Sequence, residues 1–335
     1  MDVAACREAA AGVTRVPCRG GGAGLSRALP ATTYTKSVAS HQKLDHTQKK
    51  KPKIQREEPL STAISVYHGH FGRATLYALD RAMIKHAHRE GHLTFWVQGG
   101  LSTIAIKDVP CVLSPETGAA VNSWELHSYD PHECEVRQHC LVLYIRPEWF
   151  LNFSRSTCGA LKFGRPEVEM TPLIVRLVAH VVHLLTDPHG SDLLDGYLYE
   201  LTSACFEQTH TWVPGAQEVG DESRINDFRV RKSIRLMTEN VGQIMGLDDV
   251  ASESGLSRPH FFKLFRSQTG VTPKLFWNTI RMERALAELA ESPKSITDIS
   301  LDLGFSSQSS FTRFFVLNTG LAPTEYRRVA HVLHS

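Results

Sequence analysis

The last third of this 335-residue chain contains the same pattern twice. Phe261, Phe265, Gly270 and Pro273 recur as Phe311, Phe315, Gly320 and Pro323, each 50 positions on, and Gly255 recurs as Gly304, 49 positions on. Each copy opens with a short amphipathic stretch: Leu247, Val250 and Ala251 in the first, Ile296, Ile299 and Leu303 in the second. The glycine then stands where a helix ends in the left-handed conformation, which a residue without Cβ adopts readily. A second helix follows, with Phe261, Leu264 and Phe265, or Phe311, Phe314 and Phe315, on one face. Leu256 plugs the first turn, Ser257 can cap the helix after it, and Ser300 takes the small-residue place that Ala251 holds in the first copy. Short helix, tight turn and second helix make a helix-turn-helix unit. One unit is a weak signal, because helical hairpins with a glycine turn are common in plain cores. Two in register are a strong one, and the second turn is one residue longer than the first.

Two such units in one chain can present two recognition helices to successive major grooves, which recur at roughly 34 Å. The helix starting at Thr272-Pro273, with Trp277, Ile280 and Leu289, spans roughly 25 Å at about 17 residues and suits that spacing. Upstream, Asp227 can cap a helix that places Val230, Ile234 and Met237 on one face.

The segment 227–330 resembles the DNA-binding domain of the AraC/XylS family of bacterial transcription regulators. The resemblance rests on Ala251, Gly255-Leu256-Ser257, Phe261, Phe265-Arg266, Thr269-Gly270 and Pro273, on Arg281 and Ala285, and on Ile299, Gly304-Phe305, Ser309-Ser310-Phe311-Thr312-Arg313-Phe314-Phe315, Gly320, Pro323 and Tyr326-Arg327. By position, Pro259, Phe262 and Lys263 match the family's base-reading face of the first recognition helix. Ser309 and Arg313, with Gln308 beside them, match that of the second. Pro259 and Phe262 have no side-chain donor for a base edge, though a thymine methyl could meet them; Lys263 and Arg313 suit guanine O6 and N7. Arg258, Arg266, Arg281 and Arg327 suit phosphates, which position a protein without reading sequence. Ser300 departs from the family's usual Ala, and Val316 and Leu317 from its basic or polar residues. The resemblance further implies a small-molecule effector, a homodimer, contact with RNA polymerase, activation rather than repression, and a place at the bacterial nucleoid. With no apolar run of roughly 18–20 residues and with Arg7, Glu8, Arg15 and Arg19 interrupting the N-terminal apolar stretches, the chain reads as cytosolic. Without a Ser/His/Asp arrangement or paired carboxylates in context, it reads as a non-enzyme.

The rest of the chain divides by composition into an expected α+β multidomain protein. Residues 1–60 carry 11 Lys and Arg against 5 Asp and Glu, contain Gly20-Gly21-Gly22, and read as a disordered tail. Residues 61–165 show short β-rich runs at Ile64–Tyr67, Ala74–Tyr77, Leu93–Val97, Ser102–Ile106, Cys111–Leu113 and Cys140–Ile145. Gly99-Gly100, Asp108-Val109-Pro110 and Tyr129-Asp130-Pro131 punctuate them, which predicts a sandwich or barrel. The family resemblance makes it a cupin-like effector domain. Residues 166–208 read as a helical hairpin, with Leu173, Leu177, Val181 and Leu184 on one helix and Leu194, Leu198 and Leu201 on the other. Its apolar stripe could cover the barrel or pair two subunits. Residues 209–226 read as a linker.

Within the β-domain, His86-x-His88-x3-His92-x6-Gly99 resembles the first cupin motif, with His92 where Glu is usual. Two histidines at i, i+2 on a strand point the same way, so these three could contact an effector, hold a metal, or simply pack. The second cupin motif is not evident: Pro115-Glu116-Thr117-Gly118 is suggestive, and His127 comes later. Trp96 and Trp124 could line an effector pocket, with His127 adding a polar group. Seven cysteines without a Cys-x-x-Cys pair argue against a disulfide framework, with Cys134 and Cys140 left as a conceivable redox pair. Gly20–Gly24 lacks the strand and lysine of a phosphate loop. Nothing in the residues calls for a cofactor or a membrane span. Two other readings stay open: a DNA-binding protein whose barrel only dimerises, and a metal-dependent cupin enzyme tethered to DNA.

Overall fold

Strand β9 (Gln138–Ile145) shows how the β-rich half is built. Cys140 and Val142 face one core, while Leu141, Leu143 and Ile145 face another. Side chains alternate across a strand, so an unbroken apolar run means that both faces of its sheet are covered. In this computed structural model, residues 61–132, 137–153, 162–187, 191–209, 225–242 and 245–333 are described. They belong to one compact unit, Glu57–Ser335.

The other strands are β1 (Thr62–Gly69), β2 (Gly72–Leu79), β3 (Met83–His86), β4 (Gly91–Gln98), β5 (Ser102–Ile106), β6 (Val109–Leu113), β7 (Thr117–Val121), β8 (His127–Pro131), β10 (Glu167–Glu169) and β11 (Ala330–Val332). They form a seven-stranded sheet, ordered β10-β7-β4-β9-β2-β1-β11, and a four-stranded sheet, ordered β3-β8-β5-β6. The helices are α1 (Pro147–Phe153), α2 (Pro172–Thr186), α3 (Ser191–Thr209), α4 (Phe228–Glu239), α5 (Leu247–Glu253), α6 (Arg258–Thr269), α7 (Pro273–Glu291), α8 (Ile296–Asp302), α9 (Gln308–Thr319) and α10 (Pro323–Val329). One face of the large sheet, with Leu93, Phe95, Leu141 and Leu143, is covered by α1, α2 and α3. Its other face packs with Ile104, Ile106 and Leu113 of the small sheet and with Leu289, Phe311, Phe315 and Tyr326 of the helical half. A third core, holding Val230, Val250, Phe261, Phe265 and Trp277, lies within the helical half.

The expected strands all appear, and so do five others: β10 within the segment read as a helical hairpin, β11 at the end of the helical half, and three that composition disguised. Tyr129-Asp130-Pro131, read as a break, is most of β8, and Thr117-Gly118 opens β7. Met83–His86 forms β3 at the edge of the small sheet. At Asp108-Val109-Pro110 the break is the turn alone: Lys107 and Asp108 take φ of 49° and 69°. Pro110 sits inside β6, an edge strand where its missing N–H breaks no ladder. The hairpin stripe is rotated from its expected place. Ile174, Leu177, Val178, Val181 and Leu185 are buried on α2, whereas Leu173 is 48% exposed. That stripe covers the large sheet. The tail 1–60, most of the linker (210–224), Cys134 and Cys158 lie outside the described residues.

Candidate functional site

The repeat folds as a repeat. Helices α5 and α8 each have seven residues, and α6 and α9 each have twelve. Gly255 and Gly304 take φ of 71° and 74° at the two turns. The aromatic pairs Phe261/Phe265 and Phe311/Phe315 are fully buried. Ser300 fits its small-residue place because its hydroxyl donates to the Thr297 carbonyl at 2.7 Å. Ser307 caps α9 by accepting from the Ser310 N–H, whereas Ser257 holds the N-cap position of α6 without that side-chain bond. Between the units, α7 runs 19 residues, about 28 Å at 1.5 Å per residue.

The outer faces differ from each other. On α6, Pro259, Lys263 and Arg266 are exposed, while Phe262 is half-buried against the helical core. Arg258 pairs with Asp248 and lies 5.3 Å over the Phe262 ring, so part of its charge is already answered. On α9, Gln308, Ser309 and Arg313 are exposed, with the Gln308 amide oxygen accepting from Thr297. Two expected phosphate contacts are turned inward. Arg281 is half-buried and stacked between Trp277 and Phe305, at 4.9 and 5.6 Å. Arg327 is half-buried and donates to the Leu289 carbonyl at 3.4 Å.

In the β-rich half four histidines meet between the two sheets. His86 of β3 and His127 of β8 are register partners, and their ring centroids are 4.3 Å apart. His88, in the connection to β4, lies 5.0 Å from His127, and His92 of β4 lies 4.7 Å from it. The tyrosine opposite His92 in register, Tyr144, stacks its ring under Arg73 at 3.8 Å. Burial, with the neighbouring imidazoles and Arg73 adding to it, holds His92 down at about 3 and His88 well below the usual histidine range. His127 is held low by burial and by the three neighbouring imidazoles, so these rings are neutral at pH 7. The tight set is His86, His88 and His127, whose ligand nitrogens lie within 4.8 Å of one another. His127 thus takes the place that spacing gave to His92, because β3 and β8 pair directly while His92 belongs to the opposite sheet.

The two tryptophans are elsewhere. Trp96 sits four residues along β4 from His92, about 13 Å at strand rise, and donates to the Gly100 carbonyl. Trp124 stacks on Phe276 of α7 at 5.0 Å and 10°. The same helix face touches the histidine-bearing loop twice more. Thr279 Oγ1 donates to the Ala87 carbonyl at 2.7 Å, and Glu283 pairs with Arg89 at 3.2 Å. Residues 276, 279 and 283 share one side of a helix. Thr279, Glu283, Arg73 and Tyr144 escaped notice in the sequence; only Thr279, a lone hydroxyl on an apolar helix face, left a trace there.

Residues 250–329 match the family model described as a helix-turn-helix domain. The Tn10 transposon TetD protein of Escherichia coli is 33% identical over 108 residues, which is 78% of its own length and 32% of this chain. The chain belongs to the AraC/XylS family of transcription regulators. As a family member it is a DNA-binding regulator with a sheet-rich N-terminal half and a helical C-terminal half. The likeness to the probable transcriptional regulator LumQ of Photobacterium leiognathi extends beyond the repeat: 23% identity over 249 residues, 74% of this chain and 94% of that one. The fold is that of ToxT from Vibrio cholerae. An apo lysine-to-alanine variant of ToxT superposes with a TM-score of 0.51 at 14% identity, covering 76% of this chain and 96% of that one. Among the described residues no helix is long and apolar enough to cross a membrane.

Proposed function

We propose that α6 and α9 read two successive major grooves of a promoter, with Lys263 and Arg313 on base edges and Arg266 on a phosphate. The observation that carries this is the exposure of those side chains on α6 and α9, the second helices of two units with matching helix lengths, joined by a 19-residue helix. An effector would enter the space between the sheets at the four histidines and act through α7, which rests on the loop that carries them. The exposed Leu173, Val175 and Leu193 on the outer side of the hairpin suit a homodimer contact. The setting is the bacterial cytoplasm, at the nucleoid and beside RNA polymerase, with activation of transcription as the output.

The test is binding to DNA upstream of the chain's own gene against a scrambled duplex, across a salt series. Arg313→Ala should cost about 1–3 kcal/mol of preference at one base position. Arg266→Ala should weaken both duplexes alike and reduce the log–log salt slope by about 1. A genome-wide site selection that returns no motif would sink the groove-reading assignment.

A further inference from the structure

The hydrogen bonding of the histidine cluster fixes which nitrogens are free. Nδ1 of His86 lies 2.7 Å from the Ile84 carbonyl, Nδ1 of His88 lies 2.7 Å from that of Glu90, and Nδ1 of His127 lies 2.8 Å from that of Glu125. A carbonyl only accepts, so each Nδ1 carries the proton. In a neutral imidazole the other nitrogen, Nε2, then presents a lone pair. One ligand nitrogen from each of the three rings, two rings on one stretch of chain and the third on β8, lies within 4.8 Å of the others. His88 Nε2 is buried with no hydrogen-bond partner, which a histidine kept only for packing would avoid. An Nδ1–H held by a backbone carbonyl is the usual outer support of a metal-ligating histidine.

We propose that His86, His88 and His127 bind a divalent first-row transition-metal ion such as Zn²⁺, and that its binding is felt by α7. Three neutral imidazoles and no carboxylate select zinc, copper, nickel, cobalt or ferrous iron over magnesium and calcium. Binding displaces no proton, since the three Nε2 atoms are already bare. A tetrahedral ion with bonds of about 2.0–2.1 Å brings its nitrogens to roughly 3.4 Å, so the rings close on it by about an ångström. His86 is only half-buried, which gives the ion a way in. His92 flanks the set, with its own Nδ1 buried and unpartnered.

Closing the rings moves backbone that α7 rests on. The Ala87 carbonyl, between two of the ligands, accepts from Thr279. The His88 carbonyl accepts from the Trp124 N–H at 2.8 Å, and Trp124 carries the Phe276 stack. Arg89, next in the chain, pairs with Glu283. The metal assignment stands apart from the DNA reading; only its meaning for transcription rests on that reading.

The experiment uses the full chain, stripped with chelator and titrated with Co²⁺ and then Zn²⁺. One equivalent of Co²⁺ should give ligand-field absorption of a nitrogen-rich site of low coordination number, displaced by Zn²⁺. His88→Ala and His127→Gln should lose it, while His183→Ala, exposed on α2, should keep it. In the unsubstituted chain, long-range proton–nitrogen spectra should show three Nε2 resonances moving with Zn²⁺, a readout that does not depend on any variant folding. Amide exchange over Phe276–Glu283 should change about fivefold or more on Zn²⁺ binding, with no DNA present. Aqueous-like cobalt spectra, or absorption that survives both substitutions, would overturn the site. Bound metal with unchanged exchange along α7 would overturn the coupling. Failure to bind DNA would touch neither result and would count against the groove reading alone.

Discussion

Two glycines of the helical half separate what a sequence reveals at the residue scale from what it conceals. Gly255 was legible because the repeat places a glycine at the same turn of each unit. Its φ of 71° is the whole constraint, since an added Cβ there meets nothing within 4 Å. Gly255→Ala should therefore cost only the left-handed penalty, about 1–2 kcal/mol. Gly242 carries no such mark. A Cβ built on it falls 1.8 Å from the Asp302 carbonyl oxygen, an atom sixty positions away at the end of α8. Backbone cannot swing aside as a long side chain does, so Gly242→Ala should cost about 3 kcal/mol, at the upper end of overpacking. Chemical denaturation of both variants checks the order, and equal losses would mean that the approach at Gly242 relaxes. The histidines divide the same way. Spacing in the sequence found His86 and His88, although only His86 lies on a strand, but the pairing of β3 with β8 that supplies His127 is a through-space fact, and β8 was hidden by an Asp-Pro inside it.

At the scale of the element, α7 was legible as a spacer and illegible as a contact. Its length follows from Thr272-Pro273 at one end and the apolar period. Its docking on the β-rich half depends on Thr279, a lone hydroxyl on an apolar face, and on Phe276 and Glu283, which read as ordinary helix positions until the partner is known. Glu283 makes the docking sensitive to pH. Burial pushes its carboxyl up from 4.5 to about 7, with Glu90 adding and Arg89 opposing. The folded chain then holds more protons than the unfolded one between those values. The contribution is complete below about pH 4.5 and lost as pH rises towards 7. The Glu283 side chain keeps 27% exposure, so screening leaves roughly 1–2 kcal/mol of the shift. Glu283→Gln imitates the protonated form. Its stability should overtake the wild type's as pH is raised from about 5 to 8, measured by thermal melts across that range. Parallel curves for the two proteins would show that Glu283 is ionised throughout.

In the whole molecule the two halves of the repeat have different neighbours, a distinction no periodicity contains. The first unit closes its own core around Phe261, Phe265 and Trp277. The second shares a core with the barrel, where Phe311, Phe315 and Tyr326 pack with Val66, Leu79 and Val142. It is tied there twice more: β11 pairs in parallel with β1, and the Tyr326 hydroxyl lies 2.7 Å from His68 Nε2 and 3.4 Å from Arg73 Nη1. Burial keeps His68 neutral, down at about 3, so the hydroxyl donates to it and accepts from the guanidinium. The barrel and the second unit should accordingly open together, and the first unit should open alone at lower free energy. Native-state amide exchange would show α9 and α10 protected like β1 and β2, with α5 and α6 below them. Tyr326→Phe removes an acceptor from a buried charge and a donor from a buried imidazole, at a cost of about 1.5–3 kcal/mol. That loss should lower protection in α9, α10 and β11 while leaving α6 unchanged. If α6 falls by the same amount, the repeat is one cooperative block and an effector in the barrel could not move one reading helix without the other.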